Sequence, residues 1–233
     1  MTAAPRRGRP ATGVREALLA AAEAVVAESG AARLSTKEVA RRAGVAESSI
    51  FYHFGDRVGL LEAVVGHYLP PVLDLFGGGP GHHGGELREN LVVVFEALEA
   101  LFLRVVPIIA VIQADGQVRE GFIERSRETG MGPHHAIAGT MGFLAAEQEA
   151  GRIGPGPDLR AAAMLLVGGA YQRALQTRLG APDAPRWLAS PAETIDMLIR
   201  GLGATGPAEA FSAADTADAT ATDPGGEDST SPE

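Results

Sequence analysis

The chain has 233 residues, a formal net charge of −9 and no cysteine. That length suits one or two compact domains with a buried core, and 45% hydrophobic with 21% charged residues is the composition of a soluble globular protein. The missing cysteine excludes disulfides, thiol nucleophiles and zinc–thiolate sites, and fits a reducing cytoplasm. No membrane partner is expected: the longest charge-free apolar run, AAAMLLVGGAY at 161–171, falls short of the roughly 18 residues a span needs. Near the start, Glu16, Glu23 and Glu28 interrupt the apolar run that follows the first arginines, which makes it a poor signal peptide.

The total charge hides an asymmetry. Residues 1–57 hold nine Lys or Arg against six Asp or Glu, so +3 sits there and −12 on the remainder. A basic N-terminal segment on an acidic chain points to a local anionic partner.

Residues 1–12 read as a basic flexible arm carrying Arg6, Arg7 and Arg9, with proline on either side. A first helix is predicted over 14–29, from the spacing of Val14, Leu18, Ala21, Ala22, Val25 and Val26, with Gly30 just past its end. In STKEVARRAG, Ser35 and Glu38 form a capping box, each serving the other's backbone N–H, and open a second helix over 36–42. Gly44 ends that helix in a turn that favours positive φ. A third helix is predicted over 46–52, closed by Gly55, and Asp56 caps a fourth that begins at Arg57.

Two short helices joined by a glycine turn and packed on a longer one make a helix-turn-helix unit. Leu34, Val39, Ala43, Ile50 and Phe54 fill its small core, and the polar residues of the third helix stay outside. This head is assigned to residues 13–60 and a helical body to 61–203. In the body, Pro70-Pro71 marks a kink or an end, 77–85 is a glycine-rich loop, and helices are predicted over 86–104, 107–114, 118–150, 159–179 and 191–202. Ser190-Pro191-Ala192-Glu193 is a second capping box with proline at the first helical position. Residues 204–233 read as a disordered acidic tail, with seven acids and no base in 208–233. The fold class is all-α.

The stretch RRGRP, the first-helix pattern, and STKEVARRAGVAESSIFYHFGDRVGLLEAV together resemble the tetracycline-repressor (TetR) family of bacterial transcription regulators. The resemblance covers about residues 5–69 and is most specific at Tyr52-His53-Phe54, then Arg57 and the Leu60-Leu61 pair; further on it extends only to the all-helical layout. It implies a homodimer with one DNA-binding head per subunit and a ligand-binding, dimerising body.

A short recognition helix fits a major groove roughly 12 Å wide. Its outward positions are Ala46, Glu47, Ser48, Ser49, Tyr52 and His53. Ser48 and Ser49 can donate to base acceptors or phosphates, and Glu47 can accept from a cytosine amino group. The resemblance implies that Tyr52 and His53 hold phosphates at the end of this helix and Arg57 from the start of the next. Thr36 and Lys37 join a hydroxyl and an ammonium to a helix N-terminus, a good phosphate site. The arginines of the arm follow the backbone or enter the minor groove. Phe51 stands where the family often has tyrosine; without the hydroxyl it is expected to pack.

In the body, the family's pocket is assigned to Phe95, Phe102, Gln113, His134, Phe143 and Tyr171, with a small apolar ligand as partner; Phe122, Met131, Met164, His135, Gln172 and Trp187 are further candidates, and for any single one of these core packing is the competing reading. No metal or cofactor is expected: the adjacent pairs His82-His83 and His134-His135 point about 100° apart on a helix, without an i, i+4 His or Glu partner. Dimerisation is assigned to the last two helices, through Ala161, Leu165, Gly168, Gly169 and Leu175 and through the stripe Ile195, Leu198, Ile199 and Leu202, against intramolecular packing as an equal reading. The expected function is a sequence-specific transcriptional regulator, a ligand-responsive repressor acting on a near-palindromic operator. The alternatives are an activator and a ligand-independent architectural DNA binder. No enzyme is expected, since no phosphate loop, nucleophile motif or paired carboxylates stand out.

Overall fold

A computed structural model describes residues 11–30, 33–76, 85–129, 132, 134–180 and 188–203. The arm with Arg6, Arg7 and Arg9, the histidines at 82 and 83, Met131, Trp187 and the acidic tail lie outside the described residues.

Among the described residues every regular element is an α-helix. The head holds α1 (Ala11–Ser29), α2 (Thr36–Ala43) and α3 (Ser48–Phe54), followed by α4 (Arg57–Tyr68) and α5 (Pro70–Phe76). The body holds α6 (Leu87–Ala114), α7 (Gly116–Thr129), α8 (His134–Glu149), α9 (Leu159–Leu179) and α10 (Pro191–Gly203). No single described helix is long and apolar enough to cross a membrane.

Local signals set most boundaries. Gly44 takes φ 69° and ψ 32°, the left-handed cap that ends α2. Asp56 accepts from the Gly59 N–H at 2.8 Å and opens α4. The Ser190–Glu193 box forms in both directions, at 2.8 Å and 3.2 Å. The Ser35 box forms only by half. Ser35 accepts from the Glu38 N–H at 3.2 Å, but the Glu38 carboxylate goes to Arg41 and Arg42 instead.

Three predicted boundaries need correction. The third helix starts at Ser48 rather than 46, because Glu47 supplies no capping side chain. At Pro70-Pro71, where the sequence marks a kink or an end, α4 stops and Pro70 begins α5 with a 52° bend of the axis; proline is tolerated in a first turn where its missing N–H has no partner to lose. The stretch predicted over 118–150 is two helices, α7 and α8, separated where the sequence carries Gly130, Gly132 and Pro133. Finally, α6 runs unbroken through Pro107, joining the pieces predicted over 86–104 and 107–114. The carbonyl that Pro107 cannot serve belongs to Leu103, and Arg178 of α9 donates to it at 2.9 Å from Nε.

Two apolar clusters follow. The first buries Leu18, Leu34, Val39, Ile50 and Phe54 of the head and continues through Leu60, Leu61 and Val64 of α4 to Ile108, Ile112 and Val118. The second lies in the body, around Phe95, Leu98, Leu144, Leu166 and Ile195. Helix α4 therefore shares a core with the recognition unit and with the end of α6.

Candidate nucleic-acid interface

Only seven residues form α3, so its faces are sharply divided. Ile50 and Phe54, four apart, turn into the head core and are buried. Residues on the opposite side of the helix must point away. Tyr52 is 81% exposed, Ser48 is exposed and Ser49 and His53 are partly so. The rings of Tyr52 and His53 meet edge-on with centroids 4.9 Å apart. Ala46 and Glu47 are exposed in the turn that leads in. Among the described residues no hydrogen bond or ion pair engages the side chains of Lys37, Ser48, Ser49, Tyr52 or His53.

The expected packing of Phe51 is not what the structure shows: the ring is 52% exposed. Its position, 100° from Ile50 around the helix, puts it on the edge of the outward face. The recognition surface therefore has an apolar member that the sequence reading placed inside.

Glu47 and Thr36 hold each other. The Thr36 hydroxyl donates to Glu47 Oε1 at 2.6 Å, tying the start of α2 to the start of α3. Lys37 beside them is exposed. Behind this edge, Glu38 bonds Arg41 at 2.7 Å and Arg42 at 2.9 Å, and Arg42 reaches Glu28 of α1 at 2.6 Å. Hydrogen bonds from Arg41 and Arg42 hold the Glu38 carboxyl below its ordinary 4.5, at about 2. Arg42 thus braces α2 against α1, while Arg41 stays within α2.

Arg57 faces the body. Its guanidinium lies 3.9 Å from Asp115, at the start of α7, and its Nε is buried without a partner. A second arginine, not singled out in the sequence, meets the other end of this joint. Arg125 of α7 contacts the Phe54 carbonyl at 3.4 Å and Asp56 at 2.8 Å, and lies 3.5 Å from Glu62. Burial pushes the Glu62 carboxyl above its ordinary value, with Arg125 opposing. No local pattern marks Arg125; it is 69 residues from Asp56 in the chain.

The six body residues assigned to a pocket occupy different surroundings. Phe95 and Phe143 are buried in the second cluster, and the partly buried Phe102 packs against it. Phe102 meets Tyr171 edge-on, centroids 5.4 Å apart, which brings α6 and α9 together. Gln113 and His134 are exposed. Among the described residues no group of three metal-ligating side chains gathers.

On α9, Ala161, Leu165, Gly168, Gln172 and Leu179 are exposed along one stripe, with Leu175 half-buried in the same row. Gly169 points inward, where an added Cβ would lie 3.2 Å from Phe95. The apolar stripe of α10 serves its own chain: Ile195 and Leu202 are buried, and Leu198 and Ile199 pack on the body core. The outward side of α10 carries Met197.

Residues 18–64 match the family described as bacterial regulatory proteins, tetR family. No curated protein matches the chain. Among solved structures, GusR from Salmonella enterica is 25% identical with a TM-score of 0.63, over 85% of this chain and 98% of its own. FadR from Bacillus subtilis, solved with stearoyl-CoA, is 17% identical with a TM-score of 0.57, over 80% and 98%. SmeT, solved with triclosan, is 19% identical with a TM-score of 0.58, over 81% and 90%. The last two show likeness of fold.

Proposed function

We propose that the chain, whose residues 18–64 match the TetR family of transcription regulators, is a cytoplasmic, ligand-responsive repressor that binds a near-palindromic operator as a homodimer. One observation carries this: the outward face of α3 presents Ser48, Ser49, Tyr52 and His53 together, with no hydrogen-bonding side-chain partner among the described residues. Polar tips so arranged on a stiff short helix suit a major groove.

In this reading Ser48 and Ser49 meet base edges, while Tyr52, His53 and Lys37 meet phosphates. Ala46 allows close approach. Thr36 and Glu47, bonded to each other at 2.6 Å, set the angle of α3 on α2, and Thr36 keeps lone pairs only for acceptance. Arg57 is shared between phosphate and Asp115, and the arm arginines Arg6, Arg7 and Arg9 add backbone contacts. Two recognition helices reach successive major grooves when they lie about 34 Å apart. The α9 stripe supports pairing of two copies: its 4-3-4-3-4 spacing is that of helices packing side by side.

The ligand is a small apolar molecule held in the body near Phe102 and Tyr171, with Phe95 and Phe143 in the same core; Gln113 lies about 16 Å further along α6 from Phe102 and stays outside this site, and His134 is exposed. FadR and SmeT, with stearoyl-CoA and triclosan bound, support a ligand with a large apolar part, an acyl chain in one and aromatic rings in the other. To convert 99:1 DNA-competent into 1:99, the ligand must favour the other state by about 5.5 kcal/mol.

The test is selection of DNA from a random pool by the purified full chain, repeated with Tyr52→Ala. The wild type is expected to enrich an inverted repeat, and the variant to bind it about tenfold more weakly. No enrichment by the wild type defeats the reading; equal binding by the variant removes Tyr52 from the interface.

A further inference from the structure

We propose that Arg125 is a positioning residue: from α7 it fixes the angle of the recognition helix on the body, and thereby the half-site spacing that a dimer accepts. The inference rests on the DNA-binding, dimeric reading above and adds a residue to it.

The end of α3 is where the geometry concentrates. The last carbonyls of any helix lack an internal N–H. Here the Phe54 carbonyl receives Arg125 Nη1 at 3.4 Å. The same guanidinium gives Nη2 to Asp56 Oδ2 at 2.8 Å, while its Nε lies 3.5 Å from Glu62. Asp56 spends its other oxygen on the Gly59 N–H at 2.8 Å, capping α4. One planar group thus touches the last residue of α3, the cap of α4 and the second turn of α4. A guanidinium suits this because its donors are fixed in a fork; an ammonium is a single point.

The neighbouring residues are cut to admit that contact. A Cβ on Gly59 would fall 2.0 Å from the Phe54 carbonyl oxygen and 2.6 Å from Arg125 Nη1. One turn earlier on α7, a Cβ on Gly121 would lie 3.2 Å from Val58. At the start of α7, Asp115 lies 3.9 Å from Arg57. Asp115 and Arg125 are ten residues apart, about 15 Å along α7, yet they meet the adjacent residues Arg57 and Asp56. Attachment at two separated points constrains an angle as well as a position.

The head does not need Arg125 for its core, which closes through Leu34, Val39, Ile50 and Phe54. A partly exposed ion pair also contributes little to stability. What Arg125 supplies is registry between α7 and the end of α3, so a movement of α7 is delivered to the recognition helix.

The experiment uses the full chain and the half-site found by selection, placed in a library of varied half-site spacings. Wild type, Arg125→Gln, Arg125→Lys and a control, Arg127→Gln, are compared. Among the described residues Arg127 pairs with Glu124 alone, within α7. Wild type and the control are expected to prefer one spacing by about tenfold or more. Arg125→Gln is expected to keep the half-site sequence and single-half-site affinity within about twofold, while its spacing preference falls below about threefold. Arg125→Lys behaves like Arg125→Gln, and it also serves if the glutamine variant fails to fold. A wild-type spacing profile in either folded variant overturns the proposal, as does parallel loss of half-site sequence and spacing. Failure of the wild type to select any half-site overturns the DNA-binding reading first.

Discussion

The Arg178 guanidinium, on α9, donates from Nε at 2.9 Å and from Nη2 at 2.5 Å to the Leu103 carbonyl, four residues before Pro107 in α6. Proline lacks the N–H that would close that helical turn. A side chain 75 residues away supplies the missing donor. Arg178→Ala is expected to destabilise the body by about 1 kcal/mol, at the low end for a bond to a charged donor because the site is exposed. In the Pro107→Ala background the helix closes its own turn, and the same change should cost less. A double-mutant cycle by urea denaturation measures the difference; equal costs in both backgrounds would remove Arg178 from this role.

Phe51, at the edge of the outward face of α3, has only apolar surface to offer a groove, where the matching feature is the thymine methyl. Phe51→Ala is expected to weaken operator binding about fourfold per half-site, the effect of one lost methylene-sized contact. Replacing thymine by deoxyuridine at the contacted step should weaken the wild type similarly and leave the variant unaffected. Fluorescence anisotropy on the two duplexes decides this.

Glu38 gives the head a pH signature. Its carboxyl titrates at about 2 in the folded head, against an ordinary 4.5, because Arg41 and Arg42 bond the charged form. A depressed acid stabilises the fold above its unfolded value and loses that contribution as pH falls through the folded one. The loss therefore runs from about 4.5 down to about 2. Glu38→Gln should lower stability at neutral pH and shrink the difference in denaturation midpoint between neutral and acid. An unchanged pH difference would show that the three residues are not coupled in solution.

Leu165 lies 67% exposed on the α9 stripe. If two copies pair there, Leu165→Asp places an unpaired charge in a buried interface, at a cost of several kcal/mol. Sedimentation should then show a monomer where the wild type is a dimer, with helix content retained. A variant that still sediments as a dimer puts the interface elsewhere.

The head was legible because its signals are local. Ser35, Gly44, Gly55 and Asp56 each act within four residues, and each appears at its expected job. Where the local signal was weak, the reading slipped: Glu47 does not cap, so α3 starts late. Phe51 was misplaced for a different reason. Hydrophobicity argued for packing, but in a helix this short the phase set by Ile50 and Phe54 decides. The continuity of α6 through Pro107 and the placement of Arg125 depend on partners 75 and 69 residues away, which no spacing rule reaches. The stripe of α10 shows a further limit: periodicity reveals an apolar face but not whether its own chain or a second copy covers it.

Hydroxyl-radical footprinting of the full-length protein on its selected operator tests the central claim most directly. The account predicts two protected patches on one face of the duplex, centred about 10 base pairs or a whole multiple of that apart, both weakened together in Tyr52→Ala. A single patch, two patches on opposite faces, or protection unchanged by the substitution would contradict it.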